Sequence, residues 1–346
     1  MDKDHFHFES HQPTRKRKNL SKSELVEGVI NGDRAILARA ITLVESDAVK
    51  HKQKAQEVIN ELLPHTGNSV RIGITGVPGA GKSTFIESMG QYLCNEGHRV
   101  AVLAVDPSSQ VTGGSILGDK TRMEILSRDP RAFVRPSPSG GTLGGVSRKT
   151  RETILLCEAA GFDIILIETI GVGQSEVVVR NMVDFFLLLT LTGAGDELQA
   201  MKKGVVEITD AIVIHKADND NKQRALMEME EYNQILHYMK PMTPGWTVRA
   251  FTASSLLGEG IADLKKVIDQ FVEGTKNSGF FEERRKTQLK DWVYSMIREE
   301  LEQRFFSNSI VQTELPRLEH EVFQGRIIAS SAVDEIFKIY EEDKKK

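Results

Sequence analysis

Gly76-Val77-Pro78-Gly79-Ala80-Gly81-Lys82-Ser83 follows the apolar run Val70-Arg71-Ile72-Gly73-Ile74-Thr75 and satisfies the pattern G-x-x-x-x-G-K-[ST]. In such a loop the glycines let backbone N–H groups turn inward around phosphate oxygens. The lysine reaches the β- and γ-phosphates, and the hydroxyl ligates Mg²⁺. The stretch 84–93 then reads as a helix whose positive N-terminal end points at the anion. A chance glycine-rich turn could carry the same letters, but this one sits between an apolar strand and a helix, where the chemistry needs it. Gly76, Val77, Pro78, Gly79, Ala80, Gly81, Lys82, Ser83 and Thr84 are therefore the expected phosphate-binding residues, with Lys82 on the phosphates and Ser83 on the metal. These residues point to binding and hydrolysis of a nucleoside triphosphate.

From Val70 to about Val272 apolar runs alternate with helix-patterned segments, which predicts an α/β fold with a mostly parallel central sheet covered on both faces. Strands are expected at 70–75, 100–105, 132–135, 164–168, 185–191, 211–215 and 247–251. In such sheets ligands gather at the carboxyl ends of the strands, and unusual polar residues stand at those ends here. The expected organisation is a polar tail (1–19), an N-terminal helical region (20–66), a P-loop domain (67–273) and a C-terminal helical extension (274–346).

Asp106, in Val105-Asp106-Pro107-Ser108-Ser109, closes the second strand within reach of a magnesium shell; alone, an Asp before Pro-Ser is equally a turn former or helix cap. The polar, glycine-rich stretch Val111–Lys120 has the length of a switch loop, and its Asp119 is a second metal candidate. Ile164-Ile165-Leu166-Ile167-Glu168-Thr169-Ile170-Gly171 resembles a Walker B strand followed by D-x-x-G, with Glu in place of Asp. Glu168 would meet Mg²⁺ through water, and the Gly171 N–H would sense the γ-phosphate. Gln174 follows where a switch positions water.

His215-Lys216-Ala217-Asp218 resembles the N-K-x-D base-reading loop of GTPases. Asp218 would accept hydrogen bonds from guanine N1–H and its 2-amino group, while the Lys216 stem covers the ring. His215 stands where such loops carry Asn, which removes an amide that normally supports the loop and puts the strength of guanine preference in question. Ser254, Ser255 and Leu256 lie in the loop expected to offer backbone N–H groups to the guanine carbonyl.

Together these segments resemble a known family, the P-loop GTPases that act as chaperones of adenosylcobalamin-dependent methylmalonyl-CoA mutase, a group also described as arginine/ornithine transport ATPases. The resemblance runs from about Leu25 to Phe271. Its most specific strings are Gly141-Thr142-Leu143-Gly144-Gly145-Val146, Glu168-Thr169-Ile170-Gly171-Val172-Gly173-Gln174-Ser175-Glu176 and Gly193-Ala194-Gly195-Asp196-Glu197-Leu198-Gln199. It implies that Glu168 is the Walker B acid, that Asp106 and Asp119 lie near Mg²⁺, and that Lys202 belongs to a further switch involved in partner-stimulated hydrolysis. It also implies GTP as substrate, an acyl-CoA mutase as partner, and a homodimer. The chain has no D-x-H-x-x-G segment, so adenosylcobalamin is expected on the partner. Related readings are a chaperone of another mutase such as isobutyryl-CoA mutase, a nickel-insertion GTPase, or an ATP-driven transport motor. No Cys/His-rich segment favours the nickel reading, and Val77 stands where such motors often carry lysine.

The remaining features bound this reading. With 45 basic and 49 acidic residues the net charge is −4, which argues against a general nucleic-acid or membrane-surface binder. Cys94 and Cys157 are the only cysteines, and no apolar stretch approaches the length of a membrane span. The polar start Met1-Asp2-Lys3-Asp4-His5 lacks the form of a signal or transit peptide, so the expected location is the cytoplasm. His5, His7 and His11 are read as solvated tail. Ser21-Lys22-Ser23-Glu24 is a capping box and Asp33 a second N-cap. In 284–305, Leu289, Trp292, Val293, Met296, Ile297 and Leu301 form an apolar helical stripe, either core-facing or dimerising, followed by a shorter helical segment beyond Ser307.

Overall fold

The computed structural model describes residues 20–105, 123–136, 143–169, 175–193 and 203–344. Three helices come first: α1 (Lys22–Ile30), α2 (Arg34–Val44) and α3 (Val49–Leu62). Sheet strands and helices then alternate as β1 (Val70–Gly76), α4 (Lys82–Asn95), β2 (Val100–Val105), α5 (Glu124–Arg128), β3 (Ala132–Arg135), α6 (Leu143–Ala159), β4 (Ile164–Thr169), α7 (Ser175–Arg180) and β5 (Phe185–Thr190). The series continues through α8 (Lys203–Glu207), β6 (Ala211–His215), α9 (Lys222–His237), β7 (Arg249–Ala253) and α10 (Ile261–Asn277), and ends with α11 (Phe280–Phe306), α12 (Ser309–Phe323) and α13 (Ala329–Asp343).

The caps read from sequence form as expected. Ser21 Oγ accepts the Glu24 N–H at 3.1 Å while Glu24 Oε2 accepts the Ser21 N–H at 2.7 Å. Asp33 Oδ1 accepts from the N–H groups of Ala35 and Ile36 at 2.8 and 3.0 Å. Each cap satisfies donors that the first helical turn leaves unpaired.

The seven strands form one sheet in the order β3-β2-β4-β1-β5-β6-β7, with every pairing parallel. Parallel strands need a crossover between them, and crossovers cover both faces, so the strands read as continuous apolar runs. Alternate residues divide between two cores. Ile72, Ile74, Val102 and Leu166 pack with Phe85 and Met89 of α4 and with Leu264 and Phe271 of α10. Ala101, Leu103, Ile165 and Ile167 pack with Leu37 and Ile41 of α2, Val58 of α3 and Leu156 of α6. The N-terminal helices thus share their core with the sheet.

Several boundaries differ from the sequence expectation, β1 and β4 each running one residue further, to Gly76 and Thr169. The last strand begins two residues later than expected and runs to Ala253, because its register is set by β6, with His215 opposite Ala253. The fifth strand stops at Thr190, one residue short of Leu191. The chain beyond Ser307 forms two helices that clasp each other around Val311, Leu318 and Ile336, and the turn between them holds Gly325 at φ 66°.

At the amino ends of the strands, α11 is fixed to the sheet by a buried ionic cluster. Arg285 donates to both carboxylate oxygens of Asp184, at 2.8 and 2.6 Å, and to the carbonyls of Gly67 and Ser69 at 2.7 and 2.6 Å. Asp210 accepts from Arg180 at 3.3 Å and from Thr243 Oγ1 at 2.7 Å, with the Arg284 guanidinium at 3.7 Å. Burial, with Arg180 adjacent, pushes the Arg284 guanidinium down to about 10. Buried charges are tolerable because each is paired and hydrogen-bonded. The cluster lies at the opposite end of the sheet from the phosphate loop, so it anchors the C-terminal helices away from the chemistry.

Candidate functional site

The phosphate loop leaves β1 at Gly76, whose φ is 155°; a Cβ there would lie 2.2 Å from the Leu189 carbonyl oxygen of β5. Only glycine lets the chain turn so close to a neighbouring strand. Lys82 Nζ donates to the carbonyls of Gly76 at 2.9 Å and Val77 at 3.3 Å, so the loop curls around its own ammonium. Burial lowers the Lys82 pKa, while the nearby carboxylates of Glu168 and Glu176 oppose the shift.

Glu168 projects from the end of β4, which lies beside β1 with Ile74 opposite Glu168. It is 5% exposed, and Ser83 Oγ donates to its Oε1 at 3.1 Å. A hydroxyl and a carboxylate, both hard oxygen donors, thus converge at the N-terminus of α4, a donor set that suits Mg²⁺. Thr75 and Thr169, at the ends of the same two strands, share a buried hydroxyl–hydroxyl bond of 2.9 Å.

His215 closes the gap between the phosphate loop and the Ser254–Leu256 turn that follows β7. Its Nδ1 lies 2.6 Å from the Ala80 carbonyl oxygen and its Nε2 lies 2.7 Å from Ser255 Oγ. A carbonyl only accepts, so Nδ1 carries the proton. Burial lowers the His215 pKa, which keeps the ring neutral; Nε2 therefore accepts from the Ser255 hydroxyl. Gly81, at φ 84°, lets the ring come so near that a Cβ would meet it at 2.9 Å. Phe85 packs edge-on against the imidazole with centroids 5.7 Å apart. The support that sequence reasoning thought lost with the usual Asn is supplied by the longer imidazole.

The remaining base-loop residues are fixed by side chains. Lys216 is exposed and adopts φ 58°, rare for a residue with a Cβ, and its carbonyl accepts from Asn221 Nδ2 at 2.8 Å. Ser254 Oγ donates to Asp218 Oδ2 at 2.9 Å and also accepts the Leu257 N–H at 3.2 Å. The Ser254 N–H is committed to the Glu259 carbonyl at 3.0 Å. Ser254 therefore orients Asp218, which leaves the N–H groups of Ser255 and Leu256 as those the turn can present to a base. The Leu256 side chain is 75% exposed.

Gly76 through Thr84, Glu168, Lys216, Asp218 and 254–256 are thus placed together along the carboxyl edge of the sheet. Asp106, Asp119, Gly171, Gln174, Asp196, Glu197 and Lys202 lie outside the described residues. The bridging role of His215 and the orienting roles of Ser254 and Ser255 are residue functions that sequence reasoning missed; the only signal was the unusual histidine before Lys216.

Residues 37–310 match the family described as Methylmalonyl Co-A mutase-associated GTPase MeaB. The chain belongs to this family of GTPases. Its relatives include GTPase ArgK of Escherichia coli, 46% identical over 286 residues that cover 83% of this chain and 86% of the relative. The mouse protein named methylmalonic aciduria type A homolog, mitochondrial, is 43% identical over 326 residues, covering 91% of this chain and 79% of that protein. Among solved structures, one titled LAO/AO transport system kinase superposes with a TM-score of 0.76 at 34% identity, covering 94% of this chain and all of that one. For this MeaB-family chain, the match spans both the phosphate loop and the base-reading loop.

The His215 bridge predicts a pH effect. Because the folded pKa lies below the usual value of about 6.5, the unfolded chain takes up this proton more readily. The contribution of the neutral ring to stability is complete above about pH 6.5 and is lost as pH falls through the folded value. His215→Asn should cost roughly 1–3 kcal/mol at pH 7.5 through the lost bridge, and its stability should fall less than wild type's between pH 7.5 and 5.5. Urea denaturation at both pH values checks this; parallel losses in the two proteins would contradict the neutral bridging ring.

Proposed function

We propose that this chain is a Mg²⁺-dependent GTP hydrolase that serves as chaperone of an adenosylcobalamin-dependent acyl-CoA mutase, with methylmalonyl-CoA mutase the first choice. It would gate loading of the cofactor and protect or reactivate the mutase. The observation that carries the guanine assignment is Asp218, held by Ser254 at the end of β6 and joined through His215 to the phosphate loop. The client assignment rests on membership of the MeaB family and on the name of the mouse relative. Adenosylcobalamin stays on the client.

In this reading the backbone of Gly76–Thr84 wraps the phosphates and Lys82 leaves its carbonyl partners for the β- and γ-phosphate oxygens. Ser83 and Glu168 would hold Mg²⁺, and Asp106 and Asp119 would contribute to its shell. When bound, Mg²⁺ offsets the charge that develops on the phosphate oxygens. Gly171 senses the γ-phosphate, Gln174 orients the attacking water, and Lys202 adds positive charge when the client docks. The base lies over the Lys216 stem, with Asp218 reading its N–H groups and the Ser255 and Leu256 N–H groups facing its carbonyl. Order in the switch segments is what the client would read, and hydrolysis would release it.

We place this cycle in the cytoplasm; both cysteines are free and buried, in keeping with a reducing compartment. Among the described residues no helix is long and apolar enough to cross a membrane. We further propose that the chain is a homodimer through α11. Leu289, Val293, Ile297 and Leu301 follow one another along this helix and are 55%, 43%, 48% and 60% exposed, a contiguous apolar strip of the kind that marks an interaction surface. Sedimentation velocity should show a dimer that Ile297→Glu converts to monomer; a monomeric wild type at tens of micromolar would rule this out.

The name of the kinase structure raises ATP-driven transport as a second reading, and base selectivity separates the two. Asp218→Asn should weaken GTP at least tenfold, the size expected for losing hydrogen bonds to a charged acceptor, and improve xanthosine triphosphate. Competition binding reads both; an unchanged ratio would remove Asp218 from base recognition.

A further inference from the structure

The loop after β6 lies between two sheet neighbours, β5 and β7, and is braced from both. From the β7 side, Ser254 Oγ donates to Asp218 and the Ala253 carbonyl accepts the Ala217 N–H at 3.1 Å. From the β5 side the brace is one side chain. Thr192 Oγ1 lies 2.7 Å from Asn221 Oδ1, and Asn221 Nδ2 donates to the Lys216 carbonyl at 2.8 Å. A carbonyl only accepts, so the amide nitrogen of Asn221 faces Lys216 and its oxygen accepts the Thr192 hydroxyl. The Asn221 N–H is also committed, to the Asp218 carbonyl at 2.9 Å.

Among the described residues, Lys216 and Asn219 are the only ones other than glycine with positive φ, at 58° and 47°, and both stand in the stretch that Asn221 closes. Asparagine visits the left-handed region readily and lysine does not, so at Lys216 the surroundings must hold the conformation. With this turn the lysine stem lies over the phosphate loop, where a Cβ on Gly81 would be 3.6 Å from Lys216 Cε. Return of φ to the usual negative range would swing the Cβ, and the stem with it, away from that position.

We propose, on the reading that the Lys216 stem covers the base, that Asn221 is a positioning residue for the nucleotide. By holding the Lys216 carbonyl it keeps the left-handed turn and the stem in place, and the Thr192 hydroxyl keeps the Asn221 amide aimed. Lys216 and Asp218 are then fixed from opposite strands, the first from β5 and the second from β7.

Isothermal titration of the full chain with Mg·GDP and Mg·ADP tests this. Asn221→Ala should weaken Mg·GDP about tenfold, the size of a lost hydrogen bond, and Thr192→Val about threefold. Either change should add less than twofold in a Lys216→Gly background, because glycine takes the left-handed turn unaided and has no stem to place. A general loosening of the fold would weaken both backgrounds alike. In steady-state hydrolysis of GTP, Asn221→Ala should raise KM about tenfold with less than a twofold fall in kcat, the split that follows from lost ground-state binding. Undiminished GDP affinity in Asn221→Ala, or equal losses in the wild-type and Lys216→Gly backgrounds, would overturn the assignment. If Asn221→Ala does not fold, Thr192→Val keeps the side-chain shape and is read against Lys216→Gly in the same way. Equal binding of GDP and ADP by the wild-type chain would count against the guanine reading alone, and the Asn221 effect, measurable with either nucleotide, would still decide the role of this residue.

Discussion

One neutral imidazole joins the two halves of the nucleotide site. His215 donates to the Ala80 carbonyl on the phosphate loop and accepts from the Ser255 hydroxyl in the turn after β7. Ala80, Ser255 and the Lys216–Asp218 loop that follows His215 come after three different strands, β1, β7 and β6, and the carboxyl edge of the sheet brings them together. With the ring in place, the distance between the phosphate loop and the Asp218 loop is set by packing, since the ring is buried and wedged against Phe85. A flexible loop would have to pay that ordering entropy on each binding event.

The far end of the sheet is organised by charge. Asp184 and Asp210, both 1% exposed, receive Arg285, Arg284 and Arg180. Gln288 adds a bond of 2.8 Å to the Val183 carbonyl. These contacts tie α11 to the strand ends and to the close of α7. Two poles result, one bridged by a neutral ring and poised for phosphate, the other ionic and structural, with an apolar sheet core between them.

Much of this was legible in the chain. Gly76, Gly81, Lys82 and Ser83 marked the phosphate loop, and the apolar runs located the seven strands of the sheet because buried parallel strands need no polar face. What escaped was non-local. The start of β7 depends on its register with β6, which no local pattern records. The meaning of His215 depends on a carbonyl 135 residues away; read locally, it was only an absent asparagine. Ser254 looked like a backbone donor to the base, whereas its N–H is taken by Glu259 and its hydroxyl holds Asp218. The stripe on α11 was equally compatible with a core and with an interface until the packing left Leu289, Val293, Ile297 and Leu301 facing solvent and Trp292 and Met296 half-buried.

In the proposed function, a guanine-selective site turns over in response to a client mutase. Phosphate release from GTP and from ATP by the purified chain, alone and with a cobalamin-dependent acyl-CoA mutase from the same source, addresses it most directly. The expected result is slow GTP-selective turnover that the mutase accelerates. Preference for ATP, or GTP turnover indifferent to every such mutase, would contradict it.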